Sequence, residues 1–209
     1  MKLSMLKLIV LLFFFVKINA LIDPVLDFVS NNIHNFRKTT FEKALYLLEL
    51  TQAKVIVETG TARYGTKNLD GDGGSTIIFG YWSFLNHAHM YSVDISAEAV
   101  ANATTAIAAY KEYVHVIKND SVEFLRNFSQ KIDFLYLDSF DFDENNPDPS
   151  QQHHLREIEA AYDKLAPKAI VMIDDCKLAH CGKCRLVIDF LLKKGWNVVA
   201  DEYQIIFMR

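Results

Sequence analysis

Val55-Ile56-Val57-Glu58-Thr59-Gly60-Thr61 sets three β-branched residues in a row and breaks off at an acidic residue and a glycine turn. β-Branched side chains fit a pleated, buried surface, so Val55–Val57 reads as a strand and Gly60 as the point where the chain turns tightly out of it. The same figure recurs downstream. Met90-Tyr91-Ser92-Val93 stops at Asp94, and Val114-His115-Val116-Ile117 gives way to Asn119-Asp120-Ser121. Ile132-Asp133-Phe134-Leu135-Tyr136-Leu137 stops at Asp138, and Ala169-Ile170-Val171-Met172-Ile173 stops at Asp174-Asp175. The last two runs are almost continuously apolar, as expected for strands buried on both faces of a parallel sheet.

Between these runs lie segments of helical composition, Ala97 to Tyr110, Ser121 to Phe128 and Gln151 to Leu165. Strand and helix alternating at this spacing predict an α/β fold: a doubly wound, mostly parallel sheet with helices on both faces. Upstream, Val25, Phe28, Val29 and Ile33, then Ala44, Leu47 and Leu48, recur at helical spacing and predict two helices that cover the sheet. Downstream, Trp196 to Ala200 and Gln204 to Met208 flank a turn and predict an antiparallel C-terminal hairpin. A chain of 209 residues suits one domain, which we assign to residues 21–209.

Doubly wound sheets bind ligands beyond the carboxyl ends of their strands, where the strand order reverses. Here all five strand ends carry acidic or amide side chains. An acidic residue after the second strand, Asp94, suits the two ribose hydroxyls of an adenosine-containing cofactor. Asn119-Asp120-Ser121 offers short polar groups to an adenine edge, and the loop Gly71-Asp72-Gly73-Gly74-Ser75-Thr76 leads into a helix whose first N–H groups suit a carboxylate.

These motifs resemble the class I S-adenosylmethionine-dependent methyltransferases, in particular the small branch of catechol O-methyltransferase-like and cephalosporin hydroxylase-like proteins. The resemblance runs from about Val55 to Arg209. It rests on Val57 to Thr61 with Gly73 to Thr76, on Tyr91 to Asp94, on Asp133 to Asp138 and on Val171 to Asp175. It implies a Rossmann-like fold and S-adenosylmethionine as cofactor, with Glu58, Gly60, Thr61, Gly74, Ser75 and Thr76 around its methionine part. Asp94 would hold its ribose, Asp120 or its neighbours would meet its adenine, and Asp138 would face both cofactor and acceptor. The loop Ala62 to Asp72 is longer than the compact glycine turn of most members. Some relatives hold a divalent cation with carboxylates placed like Asp138, Asp174 and Asp175, which implies an Mg2+ site that would orient an acceptor hydroxyl. The expected reaction is O-methylation of a small hydroxylated molecule or sugar.

Asp138 and His154 are the expected catalytic residues. A histidine at the start of the helix between the fourth and fifth strands has a pKa suited to general-base work, and His154 is preferred to His153. Two other patterns are set aside. Asp70-Gly71-Asp72-Gly73-Gly74 opens like a calcium loop, but the twelfth position is Tyr81 where a bidentate Glu is needed. Cys176, Cys181 and Cys184 with His180 match no standard zinc spacing, and the three cysteines read mainly as free thiols.

The net charge of −4, with no basic cluster, argues against a nucleic-acid partner and leaves a small-molecule substrate. Residues 1–20 differ from the rest. Lys2 and Lys7 precede the apolar run Leu8 to Val16, and Ala20 ends the segment, the layout of a signal peptide or, if retained, a membrane anchor. Secretory-pathway localisation is therefore expected, with Asn102, Asn119 and Asn127 as glycosylation sequons. Two other functions fit parts of the pattern. A non-catalytic, secreted or anchored binding domain would explain the leader, since S-adenosylmethionine is made in the cytosol. A nicotinamide-dependent oxidoreductase would share the glycine turn and acidic residue but lacks a compact G-x-G-x-x-G.

Overall fold

A seven-stranded sheet of order β3-β2-β1-β4-β5-β7-β6 organises the computed structural model, which describes residues 22, 24–72 and 74–209. Residues 1–20, where a leader is expected, and Gly73 lie outside the described residues. The strands are β1 (Val55–Thr59), β2 (His89–Asp94), β3 (Val114–Lys118), β4 (Ile132–Leu137), β5 (Leu165–Ile173), β6 (Asn197–Asp201) and β7 (Ile205–Met208). The first five pair in parallel; β7 runs antiparallel to β5, and β6 pairs antiparallel with β7. The sheet order reverses between β1, which leads outward to β2 and β3, and β4, which leads the other way. This is the switch point at which the two strand ends splay and leave a crevice.

Helices cover both faces. On one lie the helical segment 24–32 (α1), α2 (Lys38–Thr51) and α4 (Ser75–Asn86); on the other lie α6 (Ser121–Asn127), α7 (Asp148–Ala161) and α8 (Arg185–Lys193). A short turn of helix, α3 (Leu69–Asp72), sits in the loop after β1, and α5 (Ala97–Ala106) follows β2. β4 shows why its sequence is apolar throughout. Successive side chains of a strand point to opposite faces, so Phe134 and Tyr136 join the core beneath α2 and α4, while Leu135 and Leu137 join the core beneath α7 and α8; Ile132 joins the latter because the pairing with β5 shifts register between it and Phe134. Each such fully buried side chain contributes about 1.5–3 kcal/mol. A strand exposed on one face would alternate instead.

Two boundaries differ from the sequence expectation. The helix before β5 begins at Asp148 rather than Gln151, because Pro149 sits in the first turn, where its fixed φ suits a helix and its missing N–H costs nothing. It ends at Ala161, so Leu165 already belongs to β5. The helix expected to reach Tyr110 stops at Ala106 and continues as a tighter turn over Ala108–Tyr110. The ends that matter for the rim are capped as composition suggested. Ser96 accepts a hydrogen bond from the Ala99 N–H at the start of α5, and Asp120 does the same for Glu123 at α6. Among the described residues no helix is long and apolar enough to cross a membrane.

Candidate functional site

The splayed ends of β1, β2, β3 and β4 enclose a cleft of about 250 Å³. It is lined by Gly60 after β1, Asp94 and Ile95 at the end of β2, Asp120 and Ser121 after β3, Phe140 after β4, and His153 on α7. A second hollow of about 330 Å³ shares Asp94 and Ser139 with it and extends toward Arg63, Ser96 and Asp141. Asp94 is held in place rather than free. Its Oδ1 accepts from the Ser96 N–H at 2.7 Å and its Oδ2 from the Thr61 N–H at 3.2 Å, tying the β2 end to the turn after β1. Arg63 spans the mouth of the second hollow and pairs bidentately with Asp141 at 3.0 and 2.8 Å. That pairing holds the Asp141 carboxyl below its ordinary pKa.

The turn after β1 is built around a buried carboxylate. Glu58 accepts hydrogen bonds from the hydroxyls of Ser75, Thr76 and Ser92, and Thr61 and Thr76 meet each other at 3.2 Å. Burial pushes the Glu58 carboxyl up to about 7, against the pull of those hydroxyl donors. Thr76 Oγ1 also accepts from the Ala62 N–H at 2.8 Å. The side chains of Glu58, Thr61, Ser75 and Thr76, expected to surround a ligand directly, are thus buried and engaged with one another, and Gly74 precedes them as the N-cap of α4. They hold the turn; of the expected cofactor residues, Gly60, Asp94 and Asp120 line the cleft. Gly60 has φ +80°, and a Cβ there would meet the Asp138 carbonyl oxygen at 2.4 Å. A side chain would force β1 and β4 apart at the cleft.

Asp138, Asp174 and Asp175 come together as the sequence suggested, with carboxylate oxygens within 4.8 Å of one another. Each already holds a protein cation. Lys183 Nζ lies 2.5 Å from Asp138 Oδ1 and 3.1 Å from Asp175 Oδ2, and Lys183 is 1% exposed. Arg37 Nε donates to both oxygens of Asp174 at 3.0 Å, while its second nitrogen reaches Asp174 at 2.8 Å and Asp175 at 3.0 Å. Tyr203 adds a hydrogen bond to Asp175 at 2.6 Å, and its ring lies 4.7 Å below the Arg37 guanidinium. Burial works against the Lys183 ammonium, but Asp138, Asp175 and Asp174 outweigh it and hold its pKa above the ordinary lysine value. Burial pushes the Asp138 carboxyl well above its ordinary range, against the pull of Lys183. A divalent ion binds oxygen ligands at about 2.0–2.6 Å. An ion bridging Asp138 and Asp175 would need the space the ammonium fills, so these residues do not fit the expected Mg2+ as they stand.

The structure reverses the order of the two histidines. His154 is 0% exposed; its Nδ1–H donates to the Ser150 carbonyl at 2.7 Å, and its Nε2 has no partner. Burial pushes its pKa down to about 4. His154 therefore stays neutral inside the protein and is not on the cleft, because helix α7 turns that face inward. His153 takes the cleft wall. Its Nε2 lies 3.0 Å from Ser121 Oγ and 3.2 Å from Glu157 Oε1, and its ring packs against Phe140.

Several residues of the site escaped the sequence reading. Arg37 had no signal, because nothing in the chain relates position 37 to the end of β5. Lys183 had a weak one: the stretch Cys181-Gly182-Lys183-Cys184 has a glycine beside a lysine and begins six residues after Asp175. The calcium-like Asp70 is accounted for, since its carboxylate accepts from the backbone N–H groups of His34 and Asn35. Cys176, Cys181 and Cys184 are free, the first and last buried.

Comparison with known proteins places this arrangement in context. A family described as "Methyltransferase domain" matches residues 71–176, half of the chain. A search of the curated proteins found no match. Among solved structures, the fold is shared with a protein described as a candidate caffeoyl-CoA O-methyltransferase from Staphylococcus aureus, at 16% identity and a TM-score of 0.62, covering 90% of each chain. An O-methyltransferase from Bacillus cereus, in complex with S-adenosylhomocysteine (SAH), shares it at 17% identity and 0.55, covering 90% of this chain and 89% of that one. A candidate rRNA methylase from Clostridium thermocellum shares it at 15% and 0.55, covering 84% and 97%. This last likeness withdraws support from the exclusion of nucleic acid drawn from net charge, since the same fold carries that description. The stretch from α4 to the end of β5 lies within the family match, and the chain belongs to the methyltransferase-domain family, as a class I S-adenosylmethionine-dependent methyltransferase.

Proposed function

We propose that this enzyme moves the methyl group of S-adenosylmethionine to a hydroxyl of a small molecule or sugar, with the cofactor seated in the cleft at the switch point. The observation that carries this reading is the cleft itself. Asp94 stands at the end of β2 with its oxygens already oriented by two backbone N–H groups, as a ribose diol requires. Ile95 and Phe140 offer apolar faces to an adenine ring, and Asp120 and Ser121 polar groups to its edge. The O-methyltransferase descriptions of the Staphylococcus aureus and Bacillus cereus proteins support oxygen as the methylated atom.

The chemistry asks little covalent work of the protein. The acceptor oxygen attacks the sulfonium methyl in line, an O–CH3 bond forms as the C–S bond breaks, and the electron pair stays on sulfur as a neutral thioether. Alignment of the two reactants supplies most of the rate, and a general base receives the acceptor proton. Asp138 is our choice for that proton: it follows β4 directly, and its side chain is 21% exposed while Asp174 is 1% exposed. His153, engaged by Ser121 and Glu157 at the adenine end, is a wall of the cofactor seat.

Asp94→Asn tests the seat. Each hydrogen bond to a charged group contributes about 1.5–3 kcal/mol, so losing the ribose carboxylate is expected to weaken SAH binding at least ~50-fold. Calorimetric titration reads this, with circular dichroism confirming an intact fold. Unchanged affinity in a folded variant would remove the assignment of Asp94 and of the cleft.

Secretory-pathway residence is proposed on residues 1–20 and has its own test. Asn102 donates its amide to the Arg63 carbonyl, and Asn119 caps its own turn, whereas Asn127 stands exposed at the end of α6. Expression in a secretory host is expected to give one glycan, removed by Asn127→Gln; a full-length chain without glycan and with residues 1–20 retained in the cytosol would dismiss this location.

A further inference from the structure

The loop after β5 is strained in a way that has one visible product. Asp175, His180, Cys181 and Gly182 all have positive φ, at 54°, 56°, 64° and 50°. Three of these are not glycine, and such backbone costs about 1–3 kcal/mol per residue unless its surroundings over-determine it. Gln151 on α7 supplies part of that determination, its amide donating to the carbonyls of His180 and Gly182 at 3.0 and 2.9 Å. What the loop delivers is Lys183. Its stem is buried and its ammonium ends between Asp138 and Asp175, while Arg37, arriving from the start of α2, occupies Asp174 from the other side.

We propose that Lys183 and Arg37 are resident cations of this carboxylate cluster that close it to divalent metal, with Lys183 occupying the ion's position. An ammonium bears one charge and donates hydrogen bonds, so it satisfies the Asp138 and Asp175 oxygens that a divalent ion would otherwise coordinate. The proposal concerns ion binding by the cluster and stands apart from the cofactor seat, so a failure of the Asp94 assignment leaves it untouched.

The test is a titration of the EDTA-treated full-length protein with Mn2+, followed by loss of the free-ion electron paramagnetic resonance signal. Wild type is expected to show no ion at the cluster up to about 10 mM, far weaker than even low-affinity oxygen sites. Lys183→Met keeps the length of the stem, removes the charge and frees the position. It is expected to bind one Mn2+ with a dissociation constant of about 0.1–1 mM, in the range of weak oxygen-ligand sites. Adding Asp174→Asn to that variant should abolish the gain. One Mn2+ bound by wild type and lost in Asp174→Asn would overturn the proposal, and so would a folded Lys183→Met that gains no ion. Should Lys183→Met fail to fold, the wild-type and Asp174→Asn titrations decide the matter on their own.

Discussion

Gly182→Ala is expected to cost about 4 kcal/mol or to prevent folding, since an added methyl meets a closer neighbour here than at any other described glycine. A Cβ at this position would lie 1.6 Å from the Asp175 carbonyl oxygen, closer than any non-bonded pair can come, and the atom in the way is backbone. The residue also has φ +50° with ψ −139°, a conformation that L side chains rarely adopt. Two penalties therefore fall on one residue, and neither is relieved by rotating a side chain. Relief requires residues 175–182 to move apart, which draws Lys183 away from Asp138 and Asp175. A buried pair broken on one side typically costs about 3–5 kcal/mol because the remaining charge is left uncompensated. Urea unfolding followed by tryptophan fluorescence measures the loss, since Trp82 and Trp196 are both buried. A loss below about 1 kcal/mol, the size of an ordinary substitution, would show that the loop relaxes without strain.

That one loop also marks the limit of what could be read from the chain. β4 and β5 were legible because burial on both faces leaves near-continuous apolar runs, and β1 to β3 because each β-branched or apolar run stops at a polar residue where the sheet meets solvent. Asp138, Asp174 and Asp175 were legible as a group for the same reason: parallel strands with adjacent ends bring their terminal residues together. Their partners were not. Arg37 reaches Asp174 across 137 positions of sequence, from a helix start with no pattern of its own. Lys183 depends on a run of left-handed residues of which only Gly182 is a glycine. The choice between His153 and His154 turned on the rotation of α7, where adjacent residues sit about 100° apart and a one-residue shift exchanges wall for core. Glu58 was legible as important, but not its burial beneath hydroxyls, since those of Ser75 and Thr76 and that of Ser92 come from two separate segments.

Glu58 and His154, both fully buried, are expected to give the protein two opposed pH dependences of similar size. The folded Glu58 carboxyl stands at about 7, above its ordinary 4.5, so its contribution is fully present below about 4.5 and is lost as pH rises through 7. The shift corresponds to roughly 3 kcal/mol. The folded His154 imidazole stands at about 4, below its ordinary 6.5, so its contribution is present above 6.5 and is lost as pH falls through 4, again by roughly 3 kcal/mol. In the window between, one group gains what the other loses, and their sum changes little. Separating them exposes each slope. Glu58→Gln keeps hydrogen-bonding capacity toward the three hydroxyls and removes the ionisation, so its stability relative to wild type should climb from pH 4.5 to pH 7.5. His154→Gln should do the reverse, gaining on wild type as pH falls from 7 to 4. Denaturant unfolding of the three proteins at four pH values between 4 and 8 reads both slopes. Parallel curves for wild type and Glu58→Gln would mean that Glu58 is ionised throughout that range, and that the hydroxyl donors, rather than burial, govern the carboxylate under the cleft.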